Sequence, residues 1–182
     1  MVYLFLADGF EEVEAITPFD YLKRAGFDVK TIGVDDEKIT GSHNLEVTVD
    51  LKISDLDLKL KEDDLIILPG GLQGTKNLIS NDMVLEYVKY GAKNAAVAAI
   101  CAAPSILGKL GLLEGVSACC YPGFEGELKG ANVILNSDVV VDKNIITSKG
   151  AGTAQQFSFE IIKYLSDEEN CKKIINQVQW KI

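Results

Sequence analysis

The stretch "AAICAAPSIL", residues 98–107, places a cysteine between an apolar run and a proline that is followed by apolar residues at helical spacing. Small residues stand two positions before and two positions after Cys101, at Ala99 and Ala103. A nucleophile elbow requires small residues there, because the strand turns sharply into a helix. Pro104 fits the first turn of that helix, where a missing N–H costs little. The pattern predicts a nucleophilic Cys101, and the alternative is an inert buried thiol.

An elbow of this kind has two consequences for Cys101. The residue is expected to have unfavourable backbone angles, which cost about 1–3 kcal/mol and are tolerated because the turn aims the sulfur. The N-terminus of the following helix is expected to favour the thiolate and to lower the pKa of the thiol.

Two glycine-containing segments follow other predicted strands. "LPGG" puts Gly70 and Gly71 just past a strand, where backbone N–H groups could converge on an oxyanion, although a simple turn is the alternative. "SKGAGT", residues 148–153, closes the last strand and opens a helix, so it could form a further wall of the site. Capping of that helix by Thr153 explains the same residues.

Glu14 is the candidate acid–base residue, because it lies one turn into the first predicted helix, near the end of the first strand. Pro18 cannot donate the hydrogen bond that the carbonyl of Glu14 would accept, so the helix is perturbed there. Helical spacing puts Glu14 on the face of Phe10 and Tyr21, which suggests partial burial. The alternative is a solvated helix N-terminus, to which acidic residues are suited.

The elements that would position these residues are strands alternating with helices. Strands are predicted in "VYLFLA", "FDVKTIGV", "DLIILPGG", "AAVAAIC", "GVSACCYPG", "NVILN", "VVVD" and "NIITSKG", with a possible hairpin around "LEVTVD". Helices are predicted from Phe10 to Gly26, in "NDMVLEYVKYGAK" and "PSILGKLGLL", and as one or two helices after Gly152. The first helix is expected to bury Val13, Ile16, Leu22 and Ala25. The alternation predicts a doubly wound, mostly parallel α/β sheet.

Composition limits the other possibilities. The chain has 182 residues, 47% of them hydrophobic, which indicates a single domain over residues 1–182. Acidic residues outnumber basic ones 27 to 18, and the net charge of −9 argues against nucleic acid as a partner. The N-terminal sequence resembles neither a signal peptide nor a membrane span, so a cytoplasmic protein that does not bind membranes is expected. The four cysteines lack the spacing of a zinc site, and no metal is predicted.

Four segments together resemble the ThiJ/PfpI superfamily, and within it the DJ-one branch. They are "ADGFEEVEAITPFDYLKRAG", "ILPGG", "AAICAAPSIL" and "ITSKGAGTAQQFSFEII", which occur in the family's order and spacing. The resemblance extends from Val2 to about Leu165. It implies a flavodoxin-like fold, a homodimer and no cofactor.

The resemblance also implies roles for particular residues. Cys101 matches the elbow cysteine, and Glu14 matches the glutamate that hydrogen-bonds its sulfur. Gly70 and Gly71, with Ala102 after the elbow, match the backbone pocket. The facing loop corresponds to Gly150–Thr153 and includes Gly152.

One departure concerns the base that a cysteine hydrolase needs beside its nucleophile. Several relatives carry a histidine near the elbow, whereas this chain has Tyr121 there, which is expected in the site wall. The chain's only histidine is His43, in a segment that resembles the family's dimer surface. A surface or interface role is expected for His43, and peptidase or amidotransferase activity is disfavoured.

Two hypotheses for function follow from the resemblance. In the first, Cys101 attacks a 2-oxoaldehyde and Glu14 moves the proton, as in a glutathione-independent glyoxalase or a protein deglycase, with aldehydes or glycated proteins as substrates. In the second, oxidation of Cys101 makes the protein a redox sensor or a stress chaperone.

Overall fold

The computed structural model describes residues 1–57 and 59–181. Its strands are β1 Val2–Leu6, β2 Val29–Gly33, β3 Lys38–Thr40, β4 Glu46–Thr48, β5 Leu51–Lys52, β6 Leu65–Leu68, β7 Ala96–Ile100, β8 Ser117–Ala118, β9 Asn132–Val133, β10 Val139–Asp142 and β11 Ile145–Ser148. Its α-helices are α1 Glu12–Arg24, α2 Leu72–Ser80, α3 Asp82–Asn94, α4 Pro104–Lys109, α5 Ala154–Leu165 and α6 Glu168–Gln177.

A seven-stranded sheet with the order β10-β11-β7-β6-β1-β2-β5 forms the centre of the molecule. All neighbouring strands in it are parallel except β10, which pairs antiparallel with β11. The parallel strands β2, β1, β6, β7 and β11 follow the flavodoxin-like order, in which the second strand along the chain flanks the first. The doubly wound α/β fold predicted from the sequence is confirmed.

Helices cover both faces of this sheet, so its strands are buried on both sides. Alternate residues of β1, β6 and β7 point to opposite faces. Leu4, Ile67 and Ala98 belong to the core beneath α1, α5 and α6, whereas Phe5 and Ile66 belong to the core beneath α3 and α4. Strands buried on both faces read as continuous apolar runs, which is why the sequence revealed them.

The buried face of α1 differs from the prediction. Leu22 is buried as expected and Ala25 is half-buried, but Val13 and Ile16 are 44% and 39% exposed. Glu14 lies instead on the buried face, with Ala15 and Pro18. The helix thus turns an acidic residue inward and two apolar residues outward.

Other elements match the predicted pattern to different degrees. The predicted hairpin is present as β3 and β4, and the last helical segment is divided into α5 and α6. β8 and β9 are only two residues long each and pair in a separate small sheet. Helix α2 was missed, because its sequence "LQGTKNLIS" contains a glycine and few apolar residues. Among the described residues, no helix is long and apolar enough to cross a membrane.

Phe157 of α5 is fully buried in the core beneath α1, α5 and α6. We expect Phe157→Ala to lower the free energy of unfolding by about 3–5 kcal/mol, because it removes apolar burial and leaves a cavity. Leu135→Ala is the control, since Leu135 is exposed and its loss should change stability by less than about 0.5 kcal/mol. Urea denaturation measures both, and equal effects would contradict the assignment of the core.

Candidate active site

The carboxyl ends of four neighbouring parallel strands meet at one edge of the sheet. Glu14 follows β1 by way of the first turn of α1, Gly70 follows β6, Cys101 follows β7, and Gly150 follows β11. In open α/β sheets, ligands bind at this edge, beside the point where strand order reverses. That point lies here between β1 and β6, so the fold brings the residues of four distant motifs to its expected binding position.

Cys101 occupies a sharp turn between β7 and α4. Its φ angle is +67°, in the left-handed region that side chains other than glycine rarely adopt. Two backbone hydrogen bonds hold the turn: the N–H of Cys101 donates to the carbonyl of Ser148 at 2.9 Å, and the N–H of Tyr121 donates to the carbonyl of Cys101 at 2.8 Å. The unfavourable backbone angle expected for an elbow is therefore present.

Glu14 lies beside the thiol, although only 1% of its surface is exposed. Its Oε2 accepts a hydrogen bond of 2.9 Å from the N–H of Gly70, and its carboxyl interacts directly with Cys101. Gly70 leaves the space for this pair: a Cβ atom there would lie 2.6 Å from Cβ and 3.1 Å from Sγ of Cys101, and would also collide with Oε2 of Glu14. The N–H of Gly70 thus holds the carboxyl of Glu14, and its expected part in an oxyanion pocket stays a prediction.

Burial and charge couple the two side chains. Burial raises the pKa of Glu14 from 4.5 to about 7, and burial together with the charge of Glu14 raises the pKa of Cys101 to about 12. The expectation that the helix N-terminus lowers the pKa of Cys101 is wrong, because these two effects outweigh the N–H groups of Gly71 and Ala102 that favour the thiolate. Between about pH 7 and pH 12 the pair therefore carries one negative charge.

A cleft of about 330 Å³ opens over this pair, which we call the catalytic cleft. Five predicted site residues line it: Glu14, Gly71, Cys101, Ala102 and Tyr121. Ala151 lines it too, as a member of the predicted facing loop Gly150–Thr153, and three further lining residues were not predicted: Glu11, Leu72 and Phe124. The sequence explains the acidic one of these three only as a helix-terminus residue, and the two apolar ones, Leu72 and Phe124, belong to segments that lack a motif.

The loop after β11 provides one side of the catalytic cleft through Ala151. A Cβ atom at Gly150 would lie 3.3 Å from the ring of Tyr121, so Gly150 faces the predicted wall residue. Gly152, also predicted there, is exposed and is not among the described residues that line the catalytic cleft. Thr153 does not cap α5 with its side chain; its hydroxyl donates to the carbonyl of Gly150 at 2.9 Å and holds the loop closed.

His43 lies outside the catalytic cleft and pairs with Glu12 at 2.8 Å. Burial alone would raise the pKa of Glu12, but hydrogen bonds from His43 and Ser42 lower it to about 2. Donor atoms of Glu11, Glu12 and His43 lie within 4.8 Å of one another, which is the spacing of a metal site. These groups already bond to each other and to Ser42, so they form an ion-paired surface cluster.

The fold and the site define a flavodoxin-like protein with an elbow cysteine and a buried glutamate beside it. The sequence model of the DJ-1/PfpI family matches residues 1–164, and the chain belongs to this family.

Individual relatives agree with that assignment. DJ-1 homolog B of Arabidopsis thaliana is 34% identical over 172 residues, but these cover 93% of this chain and only 39% of the homolog. A deglycase of Pyrococcus abyssi is 33% identical over 90% of this chain and 98% of its own length. A glutathione-independent glyoxalase of Caenorhabditis elegans, DJR-1.2, is 31% identical over 91% of this chain and 88% of its own length. The solved structure of oxidised DJ-1 from Toxoplasma gondii superposes with a TM-score of 0.93 and 30% identity. The superposition covers 100% of this chain and 98% of that one.

Cys101 is half-buried, whereas the other three cysteines, Cys119, Cys120 and Cys171, are buried. We expect iodoacetamide to alkylate Cys101 first, with a rate that rises with pH through about 7, because the Glu14 carboxylate that forms there can take the thiol proton as the sulfur attacks. Peptide mapping over a pH series measures this. Earlier labelling of Cys119 or Cys171, or a rise only near pH 9, would contradict the coupling.

Gly70→Ala is expected to separate Glu14 from Cys101, because the added methyl group collides with both side chains. The rise in Cys101 alkylation near pH 7 should then disappear while the fold is kept. Gly152→Ala is the matched control, because its methyl group meets open space. Circular dichroism checks the fold, and a native alkylation profile in Gly70→Ala would show that the close contact at Gly70 is unimportant.

Proposed function

We propose that the protein converts 2-oxoaldehydes to 2-hydroxy acids, with Cys101 as nucleophile and Glu14 as general acid and base. The observation that carries the proposal is the buried carboxyl of Glu14, which contacts the thiol and has a pKa near 7. General acids and bases work best when their pKa lies near the operating pH. The names of the deglycase and the glyoxalase among the relatives support the same class of activity.

The proposed reaction begins with attack of the Cys101 sulfur on the aldehyde carbon. As the S–C bond forms, the thiol proton passes to the Glu14 carboxylate, which then protonates the former carbonyl oxygen to give a hemithioacetal. Glu14 next removes the proton from the hemithioacetal carbon and returns it to the adjacent carbon, while the proton of the hemithioacetal hydroxyl passes to the adjacent carbonyl oxygen. The product is a thioester of the 2-hydroxy acid. Water hydrolyses this thioester, releases the hydroxy acid and restores the thiol. Aldehyde and water are thus consumed, and no external oxidant is needed.

The surroundings of the pair suit this sequence of steps. The N–H groups of Gly71 and Ala102 interact with the sulfur, so they stabilise negative charge on it while the proton resides on Glu14. The N–H of Gly70 fixes the carboxyl from the opposite side. Because Glu14 serves both carbons, it must reach the sulfur and the substrate from one position, and the catalytic cleft puts both within its reach.

Removal of an aldehyde adduct from a protein would use the same nucleophile and the same acid. The adduct would have to enter the catalytic cleft, whose volume is about 330 Å³. A cleft of this size suits a small adduct on an exposed side chain of the substrate protein. Glycated proteins therefore remain proposed substrates beside free aldehydes.

A redox sensor is the second candidate function. Of the four free cysteines, only Cys101 is accessible, because the other three are buried. Oxidation by peroxide would therefore act on Cys101. Stoichiometric oxidation without turnover of aldehydes would favour this second function.

The homodimer and the cytoplasmic location stay predictions. Two apolar side chains of α1, Val13 and Ile16, are exposed, and Leu45 near the β3–β4 hairpin is exposed as well. His43 lies on the same hairpin connection. Exposed apolar residues of this kind are what a second copy of the chain would cover.

We expect Glu14→Gln to reduce turnover of methylglyoxal by ~10²–10⁴-fold, because glutamine cannot transfer a proton between the two carbons. Cys101→Ser should abolish turnover. Glu12→Gln is the matched control on the same helix, since Glu12 pairs with His43 outside the catalytic cleft. Lactate measured by NMR gives the rates, and native turnover by Glu14→Gln would refute the proposed acid–base role.

A further inference from the structure

A second cleft of about 430 Å³ opens beside the catalytic cleft, and we call it the lysine cleft. Leu72 and Phe124 line both clefts, so the two share a wall. Helices α2 and α4 begin at the catalytic cleft, directly after Gly71 and the Cys101 turn, and extend along the lysine cleft. One face of α2 lines it at helical spacing, with Leu72, Thr75, Lys76 and Ile79.

The charge of the lysine cleft is opposite to that of the chain. Lys76, Lys109 and Lys129 line it, together with one acidic residue, Glu127. None of the three lysines forms a salt bridge with another residue in the described ranges 1–57 and 59–181. In a chain with a net charge of −9, this cleft is a local region of positive charge.

The wall of the lysine cleft also contains a polar group that the protein itself does not use. The hydroxyl of Thr75 is buried, and the described part of the chain offers it no hydrogen-bond partner. Buried hydroxyls are usually hydrogen-bonded, so this one is a candidate donor to a bound oxygen atom. Leu72, Ile79 and Phe124 supply apolar surface between the charged groups.

One of the lysines, Lys109, is separated from the reactive sulfur by the length of α4. Lys109 ends α4, whose six residues, starting just after the Cys101 turn, span about 9 Å. A three-carbon aldehyde such as methylglyoxal is too short to contact both ends. A ligand that occupies both clefts must therefore carry its reactive carbonyl and its anionic group at opposite ends.

From these observations we infer that the lysine cleft binds an anionic group, phosphate or carboxylate, on the part of the substrate remote from the carbonyl that Cys101 attacks. The inference rests on the proposed function for the chemistry at Cys101, and it narrows the substrate to 2-oxoaldehydes or adducts that bear such a group. The apolar shared wall at Leu72 and Phe124 accommodates the spacer between the two ends.

The test compares phenylglyoxal with 4-carboxyphenylglyoxal and 4-phosphonooxyphenylglyoxal, which add the anionic group without changing the reacting end. The variant is the triple substitution Lys76→Met, Lys109→Met and Lys129→Met. Its control, Lys89→Met, Lys93→Met and Lys172→Met, changes the net charge equally at exposed positions outside both clefts.

For the native protein we expect a higher kcat/KM with each anionic substrate than with phenylglyoxal. In the triple variant, the kcat/KM for an anionic substrate divided by that for phenylglyoxal should fall about tenfold. The fall should come from a higher KM, because each of the three exposed lysines contributes modestly to binding the anionic group. The control variant should keep the native ratio. A ratio that is equal in both variants would overturn the inference, and a response to only one anionic substrate would identify the phosphate or the carboxylate as the ligand.

A binding measurement separates this inference from the proposed reaction. Calorimetry with Cys101→Ser compares 4-carboxymandelate with mandelate, with and without the three lysine substitutions. Tighter binding of 4-carboxymandelate that depends on the lysines supports the lysine cleft even if no variant turns over an aldehyde. Turnover of methylglyoxal combined with equal binding of the two acids would overturn the inference and leave the proposed function intact.

Discussion

Glu14 and Cys101 share a buried space in which two negative charges cannot coexist near neutral pH. Burial raises the pKa of both groups, and the charge of one raises the pKa of the other. Desolvating a carboxyl group costs stability: because the folded protein holds the Glu14 proton up to about pH 7, the free energy of unfolding falls as pH rises from about 4.5 to 7. Glu14 therefore lowers stability near neutral pH, but it holds a proton that it can exchange with the neighbouring sulfur.

The remainder of the site exists to keep this pair in contact. Gly70 has no side chain because a Cβ atom would occupy the space of the pair, and its N–H fixes the carboxyl. The positive φ of Cys101 turns the sulfur toward that carboxyl, and the carbonyl of Ser148 in β11 anchors the turn. Strands β1, β6, β7 and β11 each contribute one part, so the parallel sheet determines a geometry that no single segment could hold.

The sequence predicted the sheet and the elbow well, because each has a local pattern. Buried parallel strands are continuous apolar runs, and the small residues around Cys101 mark the turn. The sequence failed where position depends on distant packing. Apolar periodicity alone assigned Val13 and Ile16 to the core, whereas the core accepts Glu14 beside Gly70, which is 56 residues away in sequence. Leu72 and Phe124 belong to no motif, and only the folded chain brings them to the cleft. Departures from local rules are expected at functional sites, and helix α1 shows one.

The two clefts differ in charge, and for the substrate we propose this difference favours one orientation. Glu11 and Glu14 line the catalytic cleft, so an anionic group placed near the sulfur would meet like charge in a partly buried space. Three lysines against Glu127 make the neighbouring cleft attractive to the same group. A molecule with a neutral carbonyl at one end and an anion at the other therefore has one favourable orientation, with the carbonyl over Cys101. The negative charge around Glu14 and Cys101 thus also disfavours the reversed orientation, in which the anionic group of the substrate would lie near the sulfur.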